Sequence, residues 1–427
     1  MIIHLLIATS VFSVVHGLNI ALFAPHMANS QILWNKRVGE TLVAAGHNIT
    51  VYVLSMFDFM EPWGFEFDER IHLEFVNAST GLNGTELIQS QAEFAFQNIP
   101  LWDKRYREAM ARFGQTWKHC HSLVHNATFL DHVRTSKFDV AFAHMYNFCP
   151  IGIIHETNIP SWIWLNSAPL FDNIATTVGV PVPPSYCPPI MMDAGDSLSF
   201  YERTKSFIGH AIYKATWPKL QIGPDTKAFR DAFGNEFPDL VELAAKVPLV
   251  MVNSNEMYDF PRPTLAKIVN IGGIGVKKTR WSLLISPSRK AQQLRNAHLA
   301  VRLGLGIKLD KTNITRENVE SGVRRLIGDR SLKEAAVRIR DMVATRPVSS
   351  ETLLVRWTEF VAQHKTLDGM VPPVADMPWY VYHSLDVIAF LSLVVFGVVG
   401  VAIVVLRFGL RCVLLVHERK GENAVMT

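Results

Sequence analysis

The chain has 427 residues, 49% hydrophobic and 19% charged, with a formal net charge of +4. That length and apolar content suit about two cored domains and exclude wholesale disorder. Lys and Arg are scattered and form no basic run interleaved with aromatics, so a nucleic-acid partner is excluded. Cys120, Cys149, Cys187 and Cys412 lie far apart, which argues against a zinc site or a redox pair and leaves room for one disulfide of unspecified pairing.

Residues 1–17, "MIIHLLIATSVFSVVHG", carry an apolar run and then small Gly17, the pattern of a cleaved signal peptide without a basic start. "LNIALFA" (18–24) reads as a buried strand. "NSQILWNKRVGETLVAAG" (29–46) reads as a helix that Asn29 or Ser30 can cap and Gly46 ends. "NITVYVLS" (48–55) is the next strand, and a strand–helix–strand unit implies a parallel sheet with a right-handed crossover. Residues 84–135 are mostly helical by pattern, while 138–144, 160–166 and 249–255 are further strands. The Pro-rich stretch 180–189, "VPVPPSYCPP", is an extended loop, either a pocket wall or a connector.

After "VNIGGIGV" (269–276) the alternation falters. Residues 277–290 are basic and turn-like, and "AQQLRNAHLAVRLGLGI" (291–307) reads as a helix and the start of a strand. Helices follow at 315–328, 331–345 and 351–364, the last capped by Ser349 or Ser350 after Pro347. Residues 387–406 are twenty uncharged residues, enough to cross a bilayer as a helix. Arg407, Arg411, Arg419 and Lys420 follow the span, whereas 366–386 hold no Lys or Arg. The positive-inside rule then puts the tail 407–427 in the cytosol and the body in the lumen. Glycosylation sequons at Asn48, Asn77, Asn83, Asn126 and Asn313 fit that side.

Several stretches together resemble the UDP-glucuronosyltransferase and UDP-glycosyltransferase family of membrane-bound enzymes, most nearly its invertebrate members. They are "RVGETLVAAGHNITV" (37–51), "CPIGIIH" (149–155), "IPSWIWLNS" (159–167), "RTKSFIGH" (203–210), "VMVNSNEMYDFPRPTL" (250–265), "VNIGGIGV", "QLRNAHLAVRLGLGIKLDK" (293–311), "RPVSSETLLVRWTEFVA" (346–362) and "YHSLDVIAFL" (382–391). The resemblance implies an α/β fold of the GT-B type, with two Rossmann-like domains of parallel sheet facing across a cleft. Residues 18–247 would hold the acceptor, 248–364 the UDP-sugar, and 387–406 would anchor the protein in the endoplasmic reticulum membrane. It implies an inverting displacement in which a small lipophilic acceptor hydroxyl, deprotonated by a general base, attacks the anomeric carbon as UDP leaves. The UDP-sugar is a substrate; no cofactor or metal is implied. Homo- or hetero-oligomers with family members are the implied protein partners.

Carried over by position, the resemblance meets three departures. The family's catalytic His falls on Gln31, fifteen positions before Gly46, and an amide cannot take a proton near neutral pH. The carboxylate that orients that His falls on His144, so the two positions could exchange roles, with His144 as base and Gln31 orienting it; the alternative is a plain strand-end histidine. His26, in the first strand–helix loop, is a weaker substitute. In the donor domain, Gln293 and Asn296 match the end of the sugar-binding signature and Gln292 replaces its Asp, but no His-Gly-Gly turn follows Gly272. A doubly wound domain needs about 150 residues, and 268–345 supplies 78. The second domain is therefore expected to be truncated, with only a partial second sheet at 268–345. Either a coding segment is missing or the chain is a degenerate member.

Two functions of different class follow. One is a UDP-glycosyltransferase acting on small lipophilic acceptors. The other is a non-catalytic, membrane-anchored protein that keeps the acceptor pocket or pairs with complete transferases. A lumenal hydrolase has no Gly-x-Ser-x-Gly elbow to support it.

Overall fold

The computed structural model describes residues 17–58, 63–87, 89, 103–105, 107–108, 119–189, 192–275, 291–309, 314–373 and 377–425, with the side chains of 291–294 and 410–425 excepted. Seven parallel strands form one sheet: β1 Asn19–His26, β2 Asn48–Ser55, β3 Ile71–Asn77, β4 Val140–His144, β5 Trp162–Asn166, β6 Leu249–Val252 and β7 Ile268–Asn270. Their order is β3-β2-β1-β4-β5-β6-β7. The helices are α1 Asn29–Ala44, α2 His119–Val124, α3 Ala127–Thr135, α4 Cys149–Glu156, α5 Asp172–Thr177, α6 Phe200–Trp217, α7 Gly223–Phe233, α8 Leu240–Ala245, α9 Ala291–Arg302, α10 Arg316–Gly328, α11 Arg330–Ala344 and α12 Ser350–His364.

The central strands read as continuous apolar runs because both sheet faces are covered. Along β1, Ala21 and Phe23 face a core shared with α2, α3, α4 and α7. Ile20, Leu22 and Ala24 face the opposite core, filled by Ile32, Val38 and Leu42 of α1 and by Leu354 and Val361 of α12. The period of two thus sorts one strand between two layers. The α/β fold with parallel strands is the expected class, and the sheet is Rossmann-like.

Four expectations change. Residues 268–270 do not open a second sheet; they pair in parallel with β6 as the seventh strand, and among the described residues no second sheet forms. The strand expected after α9 is absent, since 303–309 are turn and coil. Helix α1 is capped by neither Asn29 nor Ser30: its N-cap is Ala28, with no side-chain cap. Strand β3, unforeseen, pairs with β2 over its whole length. The helices expected at 315–328, 331–345 and 351–364 match to within a residue; of the helical stretch expected at 84–135, most of 88–118 lies outside the described residues, as does the turn-like stretch 277–290. Ser349 caps α12 by accepting from the Thr352 N–H at 3.1 Å. The Pro-rich loop is a loop; the Cys187 carbonyl accepts a hydrogen bond from His210 Nε2 of α6 at 2.8 Å. Cys120 and Cys149 form a disulfide joining α2 to the first residue of α4.

Residues 373–427 form a separate unit. It contains α13, Trp379–Tyr382, and α14, Leu385–Val425. The stretch Leu385–Gly409 has 25 residues, holds an 18-residue window of mean hydropathy 3.0 with none of that window buried, and is long and apolar enough to cross a membrane. Of the expected signal peptide 1–17, residues 1–16 lie outside the described residues.

Candidate active site

In an open parallel sheet, ligands bind outside the carboxyl ends of the strands where the strand order reverses. Here that point lies between β1 and β4, which are neighbours with Phe23 opposite Ala143. His26 ends β1 and His144 ends β4. Two of the three residues picked for the reaction therefore stand at the switch point, and Gln31 enters α1 just after it.

His144 is 1% exposed, and neither ring nitrogen has a hydrogen-bond partner. Burial pushes its pKa down to about 3, so the ring is neutral at pH 7, one nitrogen a lone-pair acceptor and the other a donor. The Tyr146 ring stacks beside it, with centroids 5.2 Å apart and planes at 22°. Burial raises the Tyr146 hydroxyl pKa, and the Gln31 and Ser167 side chains hydrogen-bond it and pull the other way. The direct Gln31–His144 pairing expected from the sequence is therefore not made. Gln31 reaches Tyr146, and Tyr146 packs on His144. The Gln31 backbone carbonyl also accepts from Asn35 Nδ2 at 2.9 Å.

His26 is buried, its Nε2 has no partner, and burial lowers its pKa. Its ring meets Trp63 edge-on at 5.1 Å. Asn147, after β4, and Asn166, at the end of β5, are also buried with unpartnered amide groups. Buried polar groups normally find partners. A row of unpartnered ones along one sheet edge is the signature of a surface that a polar ligand completes. Asn147, Asn166 and Tyr146 were not picked from the sequence. Their signal was available only as polar residues closing apolar strands.

The donor-side candidates fall elsewhere. Asn296 of α9 lines a cavity of about 370 Å³ with Pro169, Asn253, Ser254, Tyr258 and Asp259. The side chains of Gln292 and Gln293 lie outside the described residues. Their neighbour Arg295 is buried, donates to Asp259 at 3.0 Å and sits 4.4 Å over the Phe260 ring. This holds α9 on the loop that follows β6. Gly272, after β7, has no room for a side chain: a Cβ there would lie 2.6 Å from the Ser254 carbonyl oxygen. That turn serves packing. Among the sequons, Asn48 and Asn77 are exposed, Asn83 is half-buried, and Asn126 caps α3 through the Phe129 N–H at 3.0 Å; Asn313 lies outside the described residues.

The structure is thus a doubly wound α/β unit with buried imidazoles at its switch point. The chain belongs to the UDP-glucoronosyl and UDP-glucosyl transferase family, whose profile matches residues 21–282 and 288–420. It is 21% identical to mouse UDP-glucuronosyltransferase 1A7, over 73% of this chain and 77% of that one. It is 22% identical to human UDP-glucuronosyltransferase 1A5, over 68% and 73%. With ugt-47 of Caenorhabditis briggsae, a UDP-glucuronosyltransferase by name, it shares 22% identity over 72% of this chain, spanning 56% of that relative's length. The mouse alignment runs over 417 positions, more than 73% of a 427-residue chain supplies, so that relative carries residues inside the matched span without counterparts here. Among solved structures, a kitacinnamycin glycosyltransferase aligns with a TM-score of 0.44 at 11% identity, covering 82% of this chain and all of that one. The glycosyltransferase LpCGTa in complex with UDP gives 0.44 at 10%, covering 82% and 100%.

Proposed function

We propose that the protein is a membrane-anchored UDP-glycosyltransferase of glucuronosyltransferase type, lumenal in the endoplasmic reticulum. It transfers a sugar from a UDP-sugar to the hydroxyl of a small lipophilic acceptor with inversion. The observation that carries this reading is His144, neutral and unpartnered at the switch point of a family sheet. In this reading an acceptor hydroxyl donates to the free ring nitrogen of His144 and passes its proton there as it attacks the anomeric carbon. The donor is UDP-glucuronic acid or UDP-glucose. Tyr146, set by Gln31 and Ser167, fixes the ring plane; His26 contributes little.

A ring with a pKa of about 3 is a weak base until an anion approaches. A diphosphate charge about 4–8 Å away, at an effective dielectric near 20, stabilises the imidazolium by about 2–4 kcal/mol. That restores roughly 1.5–3 pKa units. Proton transfer is thereby coupled to donor occupancy.

A second reading is favoured by one specific observation. Among the described residues no second sheet exists to hold a donor. On that reading this 427-residue chain binds acceptors, and pairs with complete family members, without transferring sugar itself. Neutral contacts from Gln293 and Asn296, each about 0.5–1.5 kcal/mol, do not offset the several kcal/mol needed to fix a nucleotide.

The test is incubation of the purified full chain with 1-naphthol and radiolabelled UDP-glucuronic acid or UDP-glucose, with 1-naphthol affinity measured separately. Glycoside formation that His144→Ala lowers by about 10²–10⁴-fold supports transfer. Naphthol binding without product supports the second reading. Product formation indifferent to His144→Ala overturns the assignment of the base, and absence of naphthol binding overturns both readings.

A further inference from the structure

Helices α6 and α7 are parts of one continuous helical run, 200–233, joined by the segment Pro218–Ile222. Pro218 and Pro224 carry no N–H, so neither can bond to the carbonyl four residues back. Between them the chain widens into a π turn, in which the Gly223 N–H donates to the Pro218 carbonyl five residues earlier. Single turns of this kind recur at functional sites. Inside it the usual sorting of side chains is reversed: Leu220 is 73% exposed and Gln221 is 3% exposed. An amide in the core beside a leucine in water breaks the apolar-inside rule, and such breaks cluster where function sets the residue.

The Gln221 side chain donates from Nε2 to the Tyr146 carbonyl at 3.1 Å, and its Oε1 has no partner among the described residues. A buried amide satisfied at one end only does little for stability. What the bond does is hold the backbone at residue 146. The positions on either side are held separately: the Met145 N–H donates to the Leu165 carbonyl at 3.0 Å, and the Phe148 carbonyl accepts from the Ile151 N–H at 3.0 Å. At its far end the Tyr146 hydroxyl meets the Gln31 and Ser167 side chains. Its ring stacks beside His144 with centroids 5.2 Å apart. Neither imidazole nitrogen is hydrogen-bonded among the described residues. Packing therefore orients the His144 ring, and Tyr146 is the ring it stacks on.

We propose that Gln221 is a positioning residue for the transfer reaction: through the Tyr146 carbonyl it sets the tilt of the Tyr146 ring, and through that ring the direction of the His144 lone pair. The inference rests on the reading of His144 as the base. Gln31 and Gln221 hold one tyrosine from its two ends, the first by the phenol and the second by the backbone. The bond from Gln221 is to a backbone carbonyl, so it takes no part in the proton transfer itself. Its effect is on how well the imidazole is aimed, and small errors of aim are costly in rate. The π turn is what the helix needs to pass two prolines, and the amide is placed within it.

The experiment uses the full chain in detergent micelles, labelled with 13C in its histidine rings, and the His144 signal is identified by its loss in His144→Ala. Gln221→Leu removes the donor and keeps the bulk; Leu220→Gln/Gln221→Leu also restores the apolar-inside order. In both, the His144 ring signal should move by more than its linewidth while that of exposed His72 stays, and the double variant should melt no lower than the parent. Glycoside formation from 1-naphthol should fall in kcat by roughly tenfold or more, with KM changed by less than about twofold. In a Tyr146→Ala background, Gln221→Leu should cost nothing further. An unmoved His144 signal overturns the proposal alone. So does unchanged turnover in the double variant, or a Gln221→Leu loss that persists without the Tyr146 ring. A parent chain that forms no glycoside overturns the reading of His144 as base, and the proposal with it.

Discussion

Cys149 is the first residue of α4, five positions beyond His144, and its disulfide partner Cys120 lies on α2. The bridge therefore pins the loop that follows His144 and carries Tyr146 and Asn147 to the layer beneath it. It closes 29 residues of chain. Removing such a constraint from the unfolded ensemble is worth about 3–4 kcal/mol at 25 °C in the chain-entropy description. A sheet unit of this size loses roughly 2–4 °C of Tm per kcal/mol, toward the lower figure for a large domain. The double variant Cys120→Ala/Cys149→Ala should thus melt about 7–10 °C below the parent. The parent in excess reductant should melt with it. Because the loop adjoins the candidate base, naphthol affinity should fall in both. The assay is differential scanning fluorimetry of the purified chain with and without reductant, paired with naphthol titration. A melt shifted by less than about 2 °C, or a reduced parent that behaves differently from the double variant, refutes the reasoning.

Gly152→Ala should destabilise by about 1–3 kcal/mol through overpacking. Its Cβ would lie 2.4 Å from the Phe229 ring, which is itself stacked on Phe237 at 4.8 Å. A variant melting at or above the parent temperature, as helix propensity alone would give, contradicts this. Asp225 has a raised folded pKa, so the folded form holds its proton where the unfolded form has lost it. Its contribution to stability therefore falls as pH rises from about 4 through the folded pKa, by about 1.4 kcal/mol per unit. Asp225→Asn should flatten that slope and raise the denaturation midpoint at pH 7.5 but not at pH 4, and parallel pH profiles would rule it out. Protease added to sealed microsomes should trim only about the last twenty residues, and digestion of the sheet unit reverses the orientation.

The part of the fold visible in the sequence is the part written in period and run length. The strands 48–55 and 249–252 and the helix 350–364 are bounded by turn residues and carry one unbroken apolar pattern. Strand β3 was missed because "IHLEFVN" leaves Phe75 exposed and places His72 and Glu74 among its apolar residues, so it lacks a buried run. It belongs to the sheet through backbone pairing with β2, which no side-chain pattern reports. Short β7 was assigned to another sheet for a similar reason. Three residues carry no register information, and backbone pairing with β6 fixes where they lie. The candidates His144 and Gln31 were picked by position, which says nothing of how their side chains relate. Whether an amide reaches an imidazole or a phenol is decided by side-chain geometry beyond any spacing rule. Tyr146, two residues past His144, takes the contact instead.

The same anchors constrain where a donor-binding segment can attach. All seven strands are parallel, so the carboxyl end of β7 lies on the same edge of the sheet as those of β1 and β4. The chain leaves that edge through Gly272, which tolerates no side chain, and Gly275, where an added Cβ would lie 2.9 Å from Arg37 Cγ. It is recovered at α9, where Arg295 is locked between Asp259 and Phe260 beside the carboxyl end of β6. Ser350 then donates to the Gly272 carbonyl at 2.7 Å, which ties the start of α12 to the same turn. Exit and return points are thus both fixed on the edge that carries His26 and His144. A segment inserted between Gly275 and Ala291 would begin and end at those two points. The interruption of the family match at 283–287 falls inside that same interval. Among the described residues, the contacts at His144 come from Tyr146 and from the sheet itself.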